Sequence, residues 1–173
     1  MDSALNIYKY YSQCNKNINA NMINILKEHD GMYNKKIVGY YESINDILFH
    51  IFDVDLSWFN DLKGIIDSDI FEEELFEKFD ETVKPVNPYT MIHEFEQDRI
   101  ILDDLIIKFI NELDIKDIYK KICYKNNKTK TVWEILIHTF NHQTHHRGQI
   151  SEILDEHTIE NDFSNMIRYE IMK

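Results

Sequence analysis

Four stretches of this chain repeat apolar residues at steps of three and four, with almost nothing to interrupt them. That spacing lines one stripe of an α-helix and does not suit the two-residue alternation of a half-buried strand. Only four glycines and two prolines occur in 173 residues, so breakers are scarce and the helices can be long.

The first stretch predicts a helix from Ser3 to Glu28, with Ala4, Tyr8, Tyr11, Ile18, Met22 and Ile25 on its apolar line and Asn15 among them. Asp30-Gly31 is a plausible end. The second runs from Tyr41 to Lys63, with Ile44, Ile47, Leu48, Ile51, Phe52, Trp58, Phe59 and Leu62 on one side. Ser43 can cap it, Asp46 stands at the capping-box position, and Gly64 is a natural stop. An acidic connection follows over residues 65–87, with room for a short helix. Asn87-Pro88 reads as an N-cap followed by proline at the first helical position, opening a third helix to Leu113. Its apolar positions are Phe95, Leu102, Leu105, Ile106, Phe109 and Leu113.

Residues Ile118 to Val132 break the pattern: β-favouring flanks surround the polar run Lys-Asn-Asn-Lys, which predicts a small hairpin. Thr131 and Glu134 have capping-box spacing at the start of a fourth helix reaching Leu154. The tail carries a weakly amphipathic piece around Phe163, Ile167 and Ile171. The expected fold is all-α: one domain, residues 1–173, built as a four-helix bundle with a β-hairpin before the last helix. The long second connection allows helices two and three to run parallel.

Bulk properties narrow the function. A formal charge of −12 disfavours nucleic acid, whose phosphates require a basic surface. Cys14 and Cys123 make neither a disulfide framework nor a CxxC metal motif, as expected in a reducing cytoplasm. The first residues show no signal-peptide pattern, and no run approaches the ~18 apolar residues of a membrane span. Richness in Ile, Asn and Lys, with Ala4 and Ala20 the only alanines, points to an AT-rich bacterial genome.

Four of the eight histidines fall between residues 138 and 149. His142 and His146 are four apart, which on a helix puts their Cβ atoms ~5–6 Å apart on one face. Two imidazoles so placed can hold one divalent metal. On a helical wheel they lie at the edge of the apolar arc of Ile135, Leu136, Phe140, Ile150, Ile153 and Leu154, while His138 and His145 lie further round, towards solvent. His50, beside Ile47 and Val54 at the border of the second helix's apolar face, is the candidate third ligand. Three histidines leave a coordination position open, as catalytic rather than structural zinc sites do. The bland alternatives are a solvated HxxxH face and a satisfied histidine at the core edge. His29, His93 and His157 have no sequence partners and read as surface residues.

The string from Asn141 to Ile150, Asn-His-Gln-Thr-His-His-Arg-Gly-Gln-Ile, closely resembles the last-helix pattern of the DinB/YfiT-like, damage-inducible family. A second matching motif, His50 followed by Asp55 and Trp58, lies on helix two, and helix order and the hairpin agree as well. The resemblance implies an up-down-down-up bundle, frequent homodimers, and a divalent ion such as zinc or nickel on His50, His142 and His146. It also implies either no assigned reaction or a transferase using a low-molecular-weight thiol such as bacillithiol or mycothiol.

Charged residues within apolar arcs complete the reading. Asp55 lies mid-arc on helix two and Arg147 within the arc of helix four, with Asp98 and Arg99 close to that of helix three. Buried charges must pair. Asp55 and Arg147 are therefore expected to meet across the bundle or to brace a metal-ligand histidine, unless the bundle is locally open to solvent. Gln149 is a further candidate orienting residue, and the mid-helix Gly148 suggests a close approach by another helix or a ligand. The expected function is a metal-dependent hydrolase or thiol transferase acting on a small molecule. The alternative is a non-catalytic metal-binding or stress-response protein, and a fourth protein ligand such as His138 would favour that.

Overall fold

The computed structural model describes residues 3–77, 82, 85–124 and 128–169. Four long helices carry it: α1 (Ser3–Glu28), α2 (Ile44–Asn60), α4 (Ile92–Glu112) and α5 (Val132–Glu156). A one-turn helix, α3 (Glu74–Glu77), lies in the acidic connection. Strands β1 (Lys121–Tyr124) and β2 (Lys128–Thr131) pair antiparallel just before α5, with Ile122 opposite Lys130. The tip of that hairpin, residues 125–127, lies outside the described residues, as does Ile171 in the tail.

Cross-helix contacts set the helix directions. Asn19 reaches Asp103 and Lys27 reaches Glu96, so α1 and α4 are antiparallel. His50 meets His142 while Trp58 meets His138, so α2 and α5 are antiparallel. Phe52 packs on Phe95 and Phe59 on Phe109, which makes α2 and α4 parallel. Tyr11 stacks on Phe140 while Asn19 reaches Arg147, which makes α1 and α5 parallel. The bundle is therefore up-down-down-up. The connection between α2 and α4 spans its length and buries Ile70, Phe71 and Phe76, with Phe71 on Phe109.

Three helix starts are fixed by local chemistry. Ser43 Oγ accepts the Asp46 N–H at 3.1 Å. Glu134 receives the N–H and hydroxyl of Thr131 at 2.8 and 2.9 Å, and Thr131 Oγ1 accepts the Glu134 N–H in return. The third start differs from the sequence expectation: α4 begins at Ile92, not after Asn87. Asn87 is engaged elsewhere, its oxygen accepting the Tyr89 N–H and its amide donating to Asn45 Oδ1 on α2. Glu94 instead takes the free N–H groups of Thr90 and Met91. In the tail, Phe163 is buried, but the amphipathic piece amounts to a single 3-10 turn, Met166–Arg168, held to α1 by Tyr10. Among the described residues no helix is long and apolar enough to cross a membrane.

Candidate metal centre

The antiparallel α2 and α5 bring His50, His142 and His146 together on the outer side of their seam. His142 Nε2 lies 3.1 Å from His50 Nε2 and 3.0 Å from His146 Nε2. The donor atoms of all three lie within 4.8 Å of one another. Nitrogens each ~2.0–2.1 Å from one cation sit ~3.0–3.4 Å apart at bond angles of ~95–110°. The two spacings that His142 makes are those of ligands around a single ion, and His50 and His146 close the group. Among the described residues the cluster holds these three side chains and no carboxylate.

The ring tautomers and charges suit such an ion. Gln149 Oε1, an acceptor only, lies 2.7 Å from His146 Nδ1. It fixes the proton on Nδ1 and leaves the Nε2 lone pair facing the cluster. Burial lowers all three imidazole pKa values, and neighbouring histidines push in the same direction; His142 falls to about 3. The three rings are thus neutral at physiological pH, as metal ligands must be. The residues present fit the group that the sequence implies.

His138 and His145 take the outer positions expected of them. Both are exposed, with His138 stacked 6.0 Å from His142 and His145 at 4.9 Å from His146. His29 and His93 are exposed, whereas His157 is half-buried and bonds the Ile153 carbonyl. Tyr41, to which the sequence drew no attention, touches two of the cluster's rings, at 5.3 Å from His50 and 5.6 Å from His146.

The expected Asp55–Arg147 pair is not formed, and neither residue touches a histidine of the cluster. Asp55 Oδ2 instead accepts from Arg99 Nη1 at 2.7 Å and from Gln143 Nε2 at 2.8 Å. Arg99 Nη2 donates to Asp103 at 2.7 Å. Arg147 donates to Asn15, Asn19, Gln143 and Thr144. The result is a buried layer joining all four long helices, with two carboxylates, two guanidiniums and neutral amides between them. The parallel α2–α4 contact puts Arg99, not Arg147, opposite Asp55, and Gln143 stands between Asp55 and Arg147, donating to the first and accepting from the second.

Burial pushes Asp55 up to about 6, against the pull of Arg99. Burial alone would lower Arg99, but Asp103 and Asp55 more than reverse it. Burial brings Arg147 down to about 10, still protonated at neutral pH. Asp55 and both arginines therefore remain charged at neutral pH. Arg99 stood out in the sequence beside an apolar arc, but Asp103, Gln143 and Asn19 did not. Single polar residues inside an apolar arc are the signal that marks them. Gly148 is exposed, and a Cβ there would meet nothing within 4 Å, so no close approach accounts for it.

The DinB family's sequence profile matches residues 1–160. The chain belongs to the DinB family. It is 27% identical over 157 residues to the protein named DinB of Bacillus subtilis (strain 168), an alignment covering 88% of this chain and 85% of that one. No solved structure matches.

Proposed function

We propose that this DinB-family protein is a metal-dependent enzyme acting on a small molecule, with a zinc or nickel ion on His50, His142 and His146. The observation that carries the reading is three neutral imidazoles converging through Nε2 with, among the described residues, no carboxylate in the cluster. A divalent cation there supplies Lewis acidity, making water or a thiol a nucleophile near neutral pH. The chain's own contribution is to present the lone pairs, to hold the His146 tautomer through Gln149, and to leave a coordination position for a visitor. Among the described residues no fourth protein donor joins the cluster, which favours catalysis over a bracing role.

The chemistry we favour is transfer of a low-molecular-weight thiol, such as bacillithiol or mycothiol, to an electrophile, with hydrolysis as the other candidate. Neither cysteine competes as nucleophile: Cys14 is buried on α1 and Cys123 lies on the hairpin. The charge of −12 supports a small-molecule partner over nucleic acid. To test this, the protein is stripped of metal, reloaded with zinc or nickel, and assayed with thiols plus an alkylating electrophile and with activated esters. Turnover that requires the metal and disappears in His142→Ala is expected. Loaded protein no faster than stripped protein on every substrate would reject the enzymatic reading. We also infer a homodimer, as the resemblance to the DinB/YfiT-like family implies. Sedimentation as a monomer at micromolar concentration would reject it.

A further inference from the structure

Two aromatic pairs lie along the α2–α5 seam, one on each side of the histidine cluster. At one end Tyr41 leans on His50 and His146, and Tyr40 stands edge-on to Tyr41 at 5.0 Å. At the other end Trp58 packs on His138 at 5.0 Å, and His138 stacks on His142. Tyr40 is 93% exposed, so core packing does not explain an aromatic ring there. Tyr41 is half-buried, with its ring the contact between the exposed rim and the metal-binding rings.

The segment carrying the tyrosines is held in place. The Ile37 N–H donates to the Glu42 carbonyl at 2.9 Å, closing the chain over residues 37–42. Asn45 ties its flanks, donating through its backbone to Tyr33 and through its side chain to Asn34. The loop backbone that carries the tyrosines is therefore preorganised beside the cluster, which lowers the ordering cost of binding.

We propose that Tyr41 and Tyr40 form a recognition wall, so that the cation site takes small molecules whose metal-binding head group is joined to a flat aromatic or conjugated body. The inference rests on the metal-site reading above and deepens it by naming the substrate class. The head group would take the open coordination position, and the flat body would lie against Tyr41 with Tyr40 at its edge. Tyr41 is then a positioning and specificity residue. Ring–ring contacts of this kind change affinity roughly 2- to 10-fold each.

The test uses the full-length protein loaded with cobalt(II), whose visible spectrum reports both site integrity and ligand entry. Acetohydroxamate and benzohydroxamate share one chelating head and differ in a methyl against a phenyl group. The wild type is expected to bind benzohydroxamate roughly 10-fold more tightly than acetohydroxamate. Tyr41→Ala should bring the ratio close to unity, both probes being measured on the same cobalt-loaded variant so that any shared effect on the cation site cancels. Tyr41→Phe should keep the preference, because it keeps the ring. Tyr40→Ser, at an exposed position, should give an intermediate ratio. Equal binding of the two probes by the wild type, or a preference that survives Tyr41→Ala, would overturn the wall while leaving the metal site standing. Failure of the wild type to take up cobalt would overturn both.

Discussion

Arg99→Met tests the buried charge layer most severely. Arg99 is 2% exposed and donates to Asp55 (0% exposed) and Asp103, both at 2.7 Å. Breaking one buried pair by removing a partner typically costs about 3–5 kcal/mol, because the remaining charge is stranded. Here one substitution strands two carboxylates. Asp55 keeps its bond from Gln143 and Asp103 keeps those from Asn19, so the two losses should not simply add. A loss of about 3–5 kcal/mol is therefore expected, which for a chain of this length lowers the melting temperature by roughly 6–20 °C.

The deficit should also depend on pH. In the wild type, burial holds Asp55 up at about 6. A carboxyl with a raised folded-state pKa favours folding at low pH and loses that contribution as pH rises through the folded value. Without Arg99 the Asp55 pKa climbs further, so the gap between variant and wild type should widen from about pH 5 to about pH 8. Urea unfolding followed by far-ultraviolet circular dichroism, with unchanged m-values, reads both effects. A loss under about 1 kcal/mol, or a gap that stays flat with pH, would refute the buried-pair reasoning. The double variant Asp55→Leu, Arg99→Met removes one stranded charge and should recover part of the loss.

Gln149→Leu removes the acceptor that holds the His146 proton on Nδ1 and should weaken zinc binding roughly 10- to 100-fold in a chelator competition; unchanged affinity would show that Gln149 does not orient the ring. Glu134, drawn down to about 2 by bonds from Thr131 and Lys130, favours folding above its unfolded pKa and loses that contribution as pH falls towards the folded value. The stability difference between wild type and Glu134→Gln should therefore shrink from about pH 5 to about pH 2 in urea titrations, and a constant difference would contradict the capping box.

The helices were legible because their apolar spacing is long and unbroken. The α1 limits, the Ser43 and Thr131 caps, and the hairpin all follow from local signals that tertiary contacts did not override. The start of α4 was not legible, because Asn87 makes its decisive bond to Asn45, far away in sequence. The histidine cluster was readable in part: the i, i+4 spacing gave His142 and His146, while His50 needed the antiparallel α2–α5 contact. That Asp55 and Arg147 are buried charges was visible, but their partners were not. Pairing depends on which residues come level across parallel helices, and periodicity within one helix does not contain that register. Tyr41 was expected at the start of the second helix, but that helix begins at Ile44, so only the folded loop shows that Tyr41 meets the histidines.

Metal stoichiometry of protein prepared without a histidine tag, stripped and then titrated with zinc, tests the central claim most directly. The expected result is one tightly held ion per chain, with tight binding lost in each of His50→Ala, His142→Ala and His146→Ala while all three variants remain helical. Wild-type protein that holds no ion after titration, or a His50→Ala variant that binds as tightly as the wild type, would contradict a single cation shared by α2 and α5.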